Sequence, residues 1–200
     1  MKKLLPFVLA VSLVACTNAN KEKAEVKEES LEQVEPKELS EAEKRLQKYV
    51  SVKLTTDVSK LSENQKKMIP ILMEVAQIMD DLFWKQSYGE KETLLNSIEN
   101  EQVREFANIN YGPWDRLDGN QPFVEGVGEK PLGANFYPVD MTKEEFEAFD
   151  NQDKASLYTI LRRDSLGELK TIPFHVAYEP ELRKAAELLL NASYYADNKA

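Results

Sequence analysis

Five of the seven glycines and four of the nine prolines fall between Gly112 and Pro138. Proline removes a backbone donor and fixes φ, and glycine weakens strand and helix interiors, so no long helix or central strand can cross this stretch. Trp114, Phe123, Phe136 and Tyr137 lie within it, and large aromatic side chains need something to pack on. An irregular segment this long is uncommon in a compact domain unless it is functional or disordered, and the aromatics argue against disorder. An ordered, aromatic-anchored loop is expected here, with regular structure before and after it.

The sequence before the loop reads as helical. Ser40-Glu41-Ala42-Glu43 has the hydroxyl and carboxylate spacing of a capping box and opens a short helix carrying Leu46, Tyr49 and Val50. Residues 49–56 alternate and are rich in β-branched side chains, which predicts a short strand. Ser62-Glu63-Asn64-Gln65 is a second capping box. Behind it Met68, Leu72, Val75, Ala76, Met79, Leu82 and Phe83 recur at helical spacing and call for burial. Pro70 should kink this helix or mark a later start. Met68, Met73 and Met79 with Trp84 read as core filling rather than a ligand patch. Tyr88-Gly89 ends the helix, and residues 90–98 and 100–108 read as two shorter ones.

Beyond the loop, Thr142-Lys143-Glu144-Glu145 opens a helix through Phe146 and Phe149. Leu157 to Arg163 and Glu168 to Phe174, joined through Asp164-Ser165-Leu166-Gly167, predict a β-hairpin. Pro180 at the first helical position begins a last helix with Leu182, Ala185, Ala186, Leu189 and Ala192 on one face, running nearly to Ala200 for want of a stop signal. The expected fold class is α+β, mainly helical with a β-hairpin.

The front of the chain reads as an address. Met1-Lys2-Lys3 and the apolar run Leu4 to Val14 form a secretory signal, too short to span a membrane, which takes about 20 apolar residues. Leu13-Val14-Ala15-Cys16 resembles a bacterial lipobox, so residues 1–15 are expected to be removed and Cys16 to carry the lipid. Residues 16–39 are rich in Lys, Glu, Ser and Gln with no aromatic residue, and read as a flexible acidic tether to a globular part at residues 40–200. The expected location is the bacterial cell envelope, exported and lipid-anchored to a membrane.

Charge and composition exclude several function classes. With 26 basic against 35 acidic residues, a net charge of -9 and no basic block, nucleic acid is not an expected partner. One Cys forms no internal disulfide, and one His with one Cys falls short of an ordinary zinc ligand set. His175, the single imidazole, follows the hairpin without a nucleophile motif and reads as structural or superficial, so no catalytic residue and no metal ligand is assigned. The candidate substrate-binding residues are Asn110, Tyr111, Trp114, Asp115, Arg116 and Asp118. Charged groups beside an aromatic on a rigid loop can hold an amine or an ion; equally, the two aspartates can cap turns while Arg116 makes a local pair.

The run Asn110-Tyr111-Gly112-Pro113-Trp114-Asp115-Arg116-Leu117-Asp118, with Glu125-Gly126-Val127-Gly128-Glu129-Lys130-Pro131-Leu132-Gly133-Ala134-Asn135-Phe136-Tyr137-Pro138, resembles the N-terminal region of bacterial lipoproteins of the dipeptidyl-peptidase III family of zinc metallopeptidases. The likeness extends from about Tyr49 to the last helix. It implies a larger, two-lobed, mostly helical enzyme that takes dipeptides from the N-terminus of short peptides in a cleft between lobes. It also implies zinc held by a His-Glu-x-x-Gly-His-type motif and a later glutamate. Neither motif is in this sequence, so the resemblance implies a first portion lacking the zinc and catalytic motifs, inactive alone.

Three readings follow: the front of a zinc exopeptidase, whose partner is the remaining C-terminal part; a membrane-tethered module that binds short peptides or an exported protein; and a structural envelope lipoprotein. On the first, the last helix and hairpin pack on further sequence, and an apolar stripe through Leu182, Leu189 and Tyr195 is left open.

Overall fold

A computed structural model describes residues 39–198. The signal, Cys16 and almost all of the tether lie outside the described residues. Helix α1 (Glu41–Leu46) starts at Ser40 with both halves of its capping box formed, as does α2 (Glu63–Ser87) at Ser62. Helices α3 (Lys91–Ser97) and α4 (Glu101–Asn110) follow, and Asn100 caps α4 by accepting from the Gln102 and Val103 amides. The breaker-rich stretch holds two minimal strands, β1 (Trp114–Asp115) and β2 (Gln121–Pro122), and a 3-10 turn at Ala134–Phe136. Helix α5 (Lys143–Ala148) leads to the hairpin of β3 (Thr159–Arg163) and β4 (Leu169–Pro173), then α6 (Phe174–Ala177) and α7 (Glu179–Ser193). The α+β class holds: helices dominate, with two small antiparallel strand pairs.

The hairpin register sets Ile160 opposite Ile172 and Arg163 opposite Leu169. Gly167, at φ +86°, supplies the left-handed residue of the turn, and Asp164 Oδ1 accepts from the Leu166 and Glu168 amides.

Helix α2 organises the domain. Leu82 and Trp84 are about 200° apart around the helix and enter different clusters. Trp84 packs with Leu94, Ile98 and Ala107 from α3 and α4, whereas Leu82 packs with Ile160 and Tyr178. Antiparallel to α2 runs α7. Lys85 pairs with Glu181 at 2.5 Å at one end, Glu74 with Lys184 at 3.0 Å between, and Ser62 bonds Asp197 at 2.6 Å at the other.

Four expectations change. Residues 51–58 form no strand; Val50, Val52 and Leu54 are exposed with no neighbouring strand among the described residues, and β propensity without a ladder partner makes no sheet. Pro70 lies inside α2, which runs on through it. The single buried stripe on α2 is divided: Leu72, Met73, Met79 and Phe83 are exposed, and burial concentrates at Ile78, Leu82 and Trp84, where two clusters converge. Helix α7 ends at Ser193, five residues before the last described residue, Asn198, because the turn at Tyr194 to Ala196 takes over its hydrogen bonds. On it Ala186 and Leu189 are exposed while Ala185 and Ala192 are buried.

Candidate functional site

The loop is ordered from inside. Tyr111 ends α4 in the left-handed region at φ 53°, and the Gly112 amide returns to Ala107 O at 3.1 Å. This turns the chain so that Trp114 faces inward. Its indole N–H donates to Gly128 O at 2.9 Å, and its ring lies 5.7 Å from that of Tyr88. One aromatic thereby fastens the two halves of the breaker-rich stretch together.

Of the six residues predicted from the sequence, Asn110 and Asp115 are buried and turned to the loop itself. Asn110 Oδ1 accepts from the Arg116 amide at 3.0 Å and the Tyr49 hydroxyl at 3.3 Å; its Nδ2 donates to Phe106 O. Asp115 accepts from Lys48 Nζ at 2.7 Å and from the Leu117 amide at 3.0 Å. Tyr111 donates to Asp80 at 2.5 Å, and that bond pushes its phenol above the ordinary range, with burial acting the same way. Arg116 and Asp118 are exposed. The Arg116 guanidinium lies over the rings of Phe83 and Tyr111 at 5.3 and 5.2 Å. The six are brought to one turn, but they divide between holding it and facing solvent.

The open concave surface sits just beyond. A cleft of about 670 Å³ is bounded by residues 119–121 and 129–134 with Phe136. A second, of about 430 Å³, has Trp114, Tyr88, Asn135, Tyr137 and Arg162 in its walls. Between them rises the turn at Gly133 and Ala134, both left-handed, at φ 75° and 49°. A Cβ on Gly133 would lie 2.2 Å from the Tyr137 ring, so that ring packs where only glycine leaves room. Asn135 Nδ2 donates to Lys85 O at 2.7 Å, and Arg162 donates to Asn135 O at 2.9 Å, which ties the turn to α2 and β3. Burial pushes the Lys130 ammonium down, and the charge of Arg116 adds to that.

This arrangement can bind an extended ligand between aromatic and cationic walls. Among the described residues no three His, Cys, Asp or Glu side chains converge to hold a metal ion, and His175 stands exposed on α6. The residues present therefore do not fit zinc, and no step is derived through one. Sequence reasoning missed Lys130, Asn135, Tyr137 and Arg162. The glycine and proline density from Gly126 to Pro138 marked three of them, while Arg162 gave no signal inside a predicted strand.

No protein-family profile matches the chain. It superposes on the structure of DPP III from Caldithrix abyssi with a TM-score of 0.72 and 34% identity, covering 78% of this chain and 32% of that one. The described fold resembles part of a dipeptidyl-peptidase III. The dipeptidyl-peptidase III of Corallococcus sp. strain EGB agrees, with a TM-score of 0.69 and 32% identity over 77% of this chain and 31% of that one. Nudix hydrolase 3 of Arabidopsis thaliana is 27% identical over 75% of this chain and 28% of its own length. The chain spans less than a third of each of these relatives. Likeness to two dipeptidyl-peptidase III structures supports a peptidase-like relationship.

Proposed function

We propose that the chain is the N-terminal portion of an exported, lipid-anchored hydrolase of the dipeptidyl-peptidase III type and forms one wall of its peptide cleft. The likeness in fold at 34% identity over 78% of the chain carries this reading. Trp114 with Tyr88 gives the cleft an aromatic side, Arg116 and Asp118 stand exposed on the turn that carries Trp114, and Asn110 and Asp115 hold that turn in shape. Zinc and the catalytic groups come from the rest of the polypeptide in this reading, so residues 1–200 bind peptide without cleaving it. The anchor is the lipid on Cys16, and the envelope is the location.

The test is isolation of the native protein from the membrane fraction with an antibody to residues 40–200. The proposal expects zinc and dipeptidyl-arylamide hydrolysis in the precipitate, carried by a longer polypeptide or a tightly bound second one, and palmitate label that Cys16→Ser abolishes. A chain of the size of residues 16–200 alone, without zinc or hydrolysis but binding short peptides, would instead support the tethered binding module. That second reading is favoured by one observation, a ligand-sized cleft with no reactive pair in its walls.

A further inference from the structure

We infer that the cleft takes a peptide bearing a carboxylate, which is held between the Lys130 ammonium and the Arg162 guanidinium. The two depressions share Pro131 and Ala134 in their walls, so they adjoin, with Lys130 in one and Arg162 in the other.

In a chain of net charge -9, several other half-buried cations meet acids, Lys85 with Glu181, Lys91 with Asp80 and Arg163 with Glu145, while Lys154 spends its ammonium on the carbonyls of Phe146, Glu147 and Phe149. Lys130 and Arg162 have no carboxylate partner among the described residues. Lys130 Nζ donates to the Asn120 amide oxygen at 3.2 Å and lies 6.0 Å from the centre of the Trp114 ring. Arg162 donates only to carbonyl oxygens, those of Leu161 at 2.7 Å, Asn135 at 2.9 Å and Phe136 at 3.4 Å. These use two hydrogens on Nη1 and one on Nη2, which leaves two of the five guanidinium N–H groups for a ligand.

A half-buried cation with only neutral acceptors has its lost hydration replaced in part, and a carboxylate adds a charge-assisted hydrogen bond. The depressed Lys130 is the expected sign of such a group. Glu129 is the one acid in either wall, and it is exposed. Trp114 and Tyr88 offer the neighbouring apolar surface.

This inference rests on the peptide-cleft reading above. Its test uses four peptides with free N-termini: tetra-alanine, tetra-alanine amide, Ala-Ala-Glu-Ala amide and Ala-Ala-Gln-Ala amide, each titrated against the folded chain by calorimetry. At least one carboxylate peptide should bind about tenfold tighter than its amide counterpart, as a charge-assisted bond implies. Which arm gains tells a terminal carboxylate from a side-chain one. Lys130→Gln should remove the preference. Lys130→Glu, folded by circular dichroism, should reverse it, so that the amide peptide binds tighter than its carboxylate counterpart. Equal affinity for carboxylate and amide peptides overturns the inference and leaves the peptide cleft standing. Failure of all four to bind overturns both.

Discussion

The Lys48 ammonium, just past the end of α1, reaches the Asp115 carboxylate in β1 at 2.7 Å, joining the front of the domain to the centre of the loop. Asp115 is only 1% exposed, whereas the Lys48 side chain keeps 38% of its surface in water. Removing Lys48 leaves a buried carboxylate that still accepts from the Leu117 amide, whereas removing Asp115 leaves a partly exposed ammonium and empties a buried site at the centre of the loop. Asp115→Ala also strips the Leu117 amide of its acceptor and should lower stability by about 3 kcal/mol. Lys48→Met should cost about 1–2 kcal/mol, because water still reaches the vacated side. Urea unfolding monitored by circular dichroism measures both.

Three glycines of the same loop should respond differently to alanine. At Gly133 the new methyl group meets the Tyr137 ring and the backbone is left-handed, so Gly133→Ala should cost roughly 2–4 kcal/mol and distort the cleft. Gly119, at φ 58° with open space around it, should cost about 1 kcal/mol for backbone strain alone. Gly128 meets nothing and is not left-handed, so Gly128→Ala should be neutral within about 0.5 kcal/mol. Thermal melts of the three variants check the order.

How far the sequence revealed this structure depends on whether the cause was local. Capping boxes at Ser40 and Ser62 and the hairpin turn at Gly167 were legible because the deciding bonds are made within four residues. The fate of residues 49–56 was not, since a strand needs a partner that sequence alternation cannot supply. The site was half legible. Asn110 to Asp118 stood out by residue type, but whether Asp115 faces solvent or Lys48 depends on a contact 67 positions away. Arg162 was hidden for the same reason: its carbonyl partners at Asn135 and Phe136 come from another part of the chain.

Acid should loosen two tertiary ties. Arg163 grips Glu145 with two bonds of 2.7 and 2.9 Å, and Lys85 bonds Glu181 at 2.5 Å. Each bond is the main reason its carboxyl titrates below the ordinary 4.5. A carboxyl depressed in the folded state contributes fully above its unfolded value and loses that contribution as pH falls through its folded value. Lys85 is raised above 10.5, so its share is full below that pH and lost as the pH rises through its folded value. Melting temperature should thus fall below pH 4.5, and Glu181→Gln should be less stable at pH 7 yet show a shallower acid decline. An acid limb as steep in the variant would contradict the assignment.

Exposed apolar side chains on the α2 and α7 pair should make the isolated chain associate. Met73 is 66% exposed, Leu190 59% and Tyr194 73%. Leu189 and Tyr195 of the expected open stripe are exposed and half-buried, while Leu182 is half-buried against the Tyr178 cluster. Sedimentation should show a concentration-dependent increase in mass that Met73→Glu with Leu190→Glu reduces. A monomer at all concentrations would show that this face needs no cover.

The central claim is that peptide lies in the cleft beside Trp114. The chain has two tryptophans, and their indole N–H signals in a nitrogen-15 spectrum report on two places at once. Trp114 is in the wall of the cleft with its N–H on Gly128 O, whereas Trp84 is 1% exposed in the core formed with α3 and α4. Titration with tetra-alanine should move the Trp114 indole signal and leave that of Trp84 in place. A saturating titration in which neither moves, or both move together, would contradict the account.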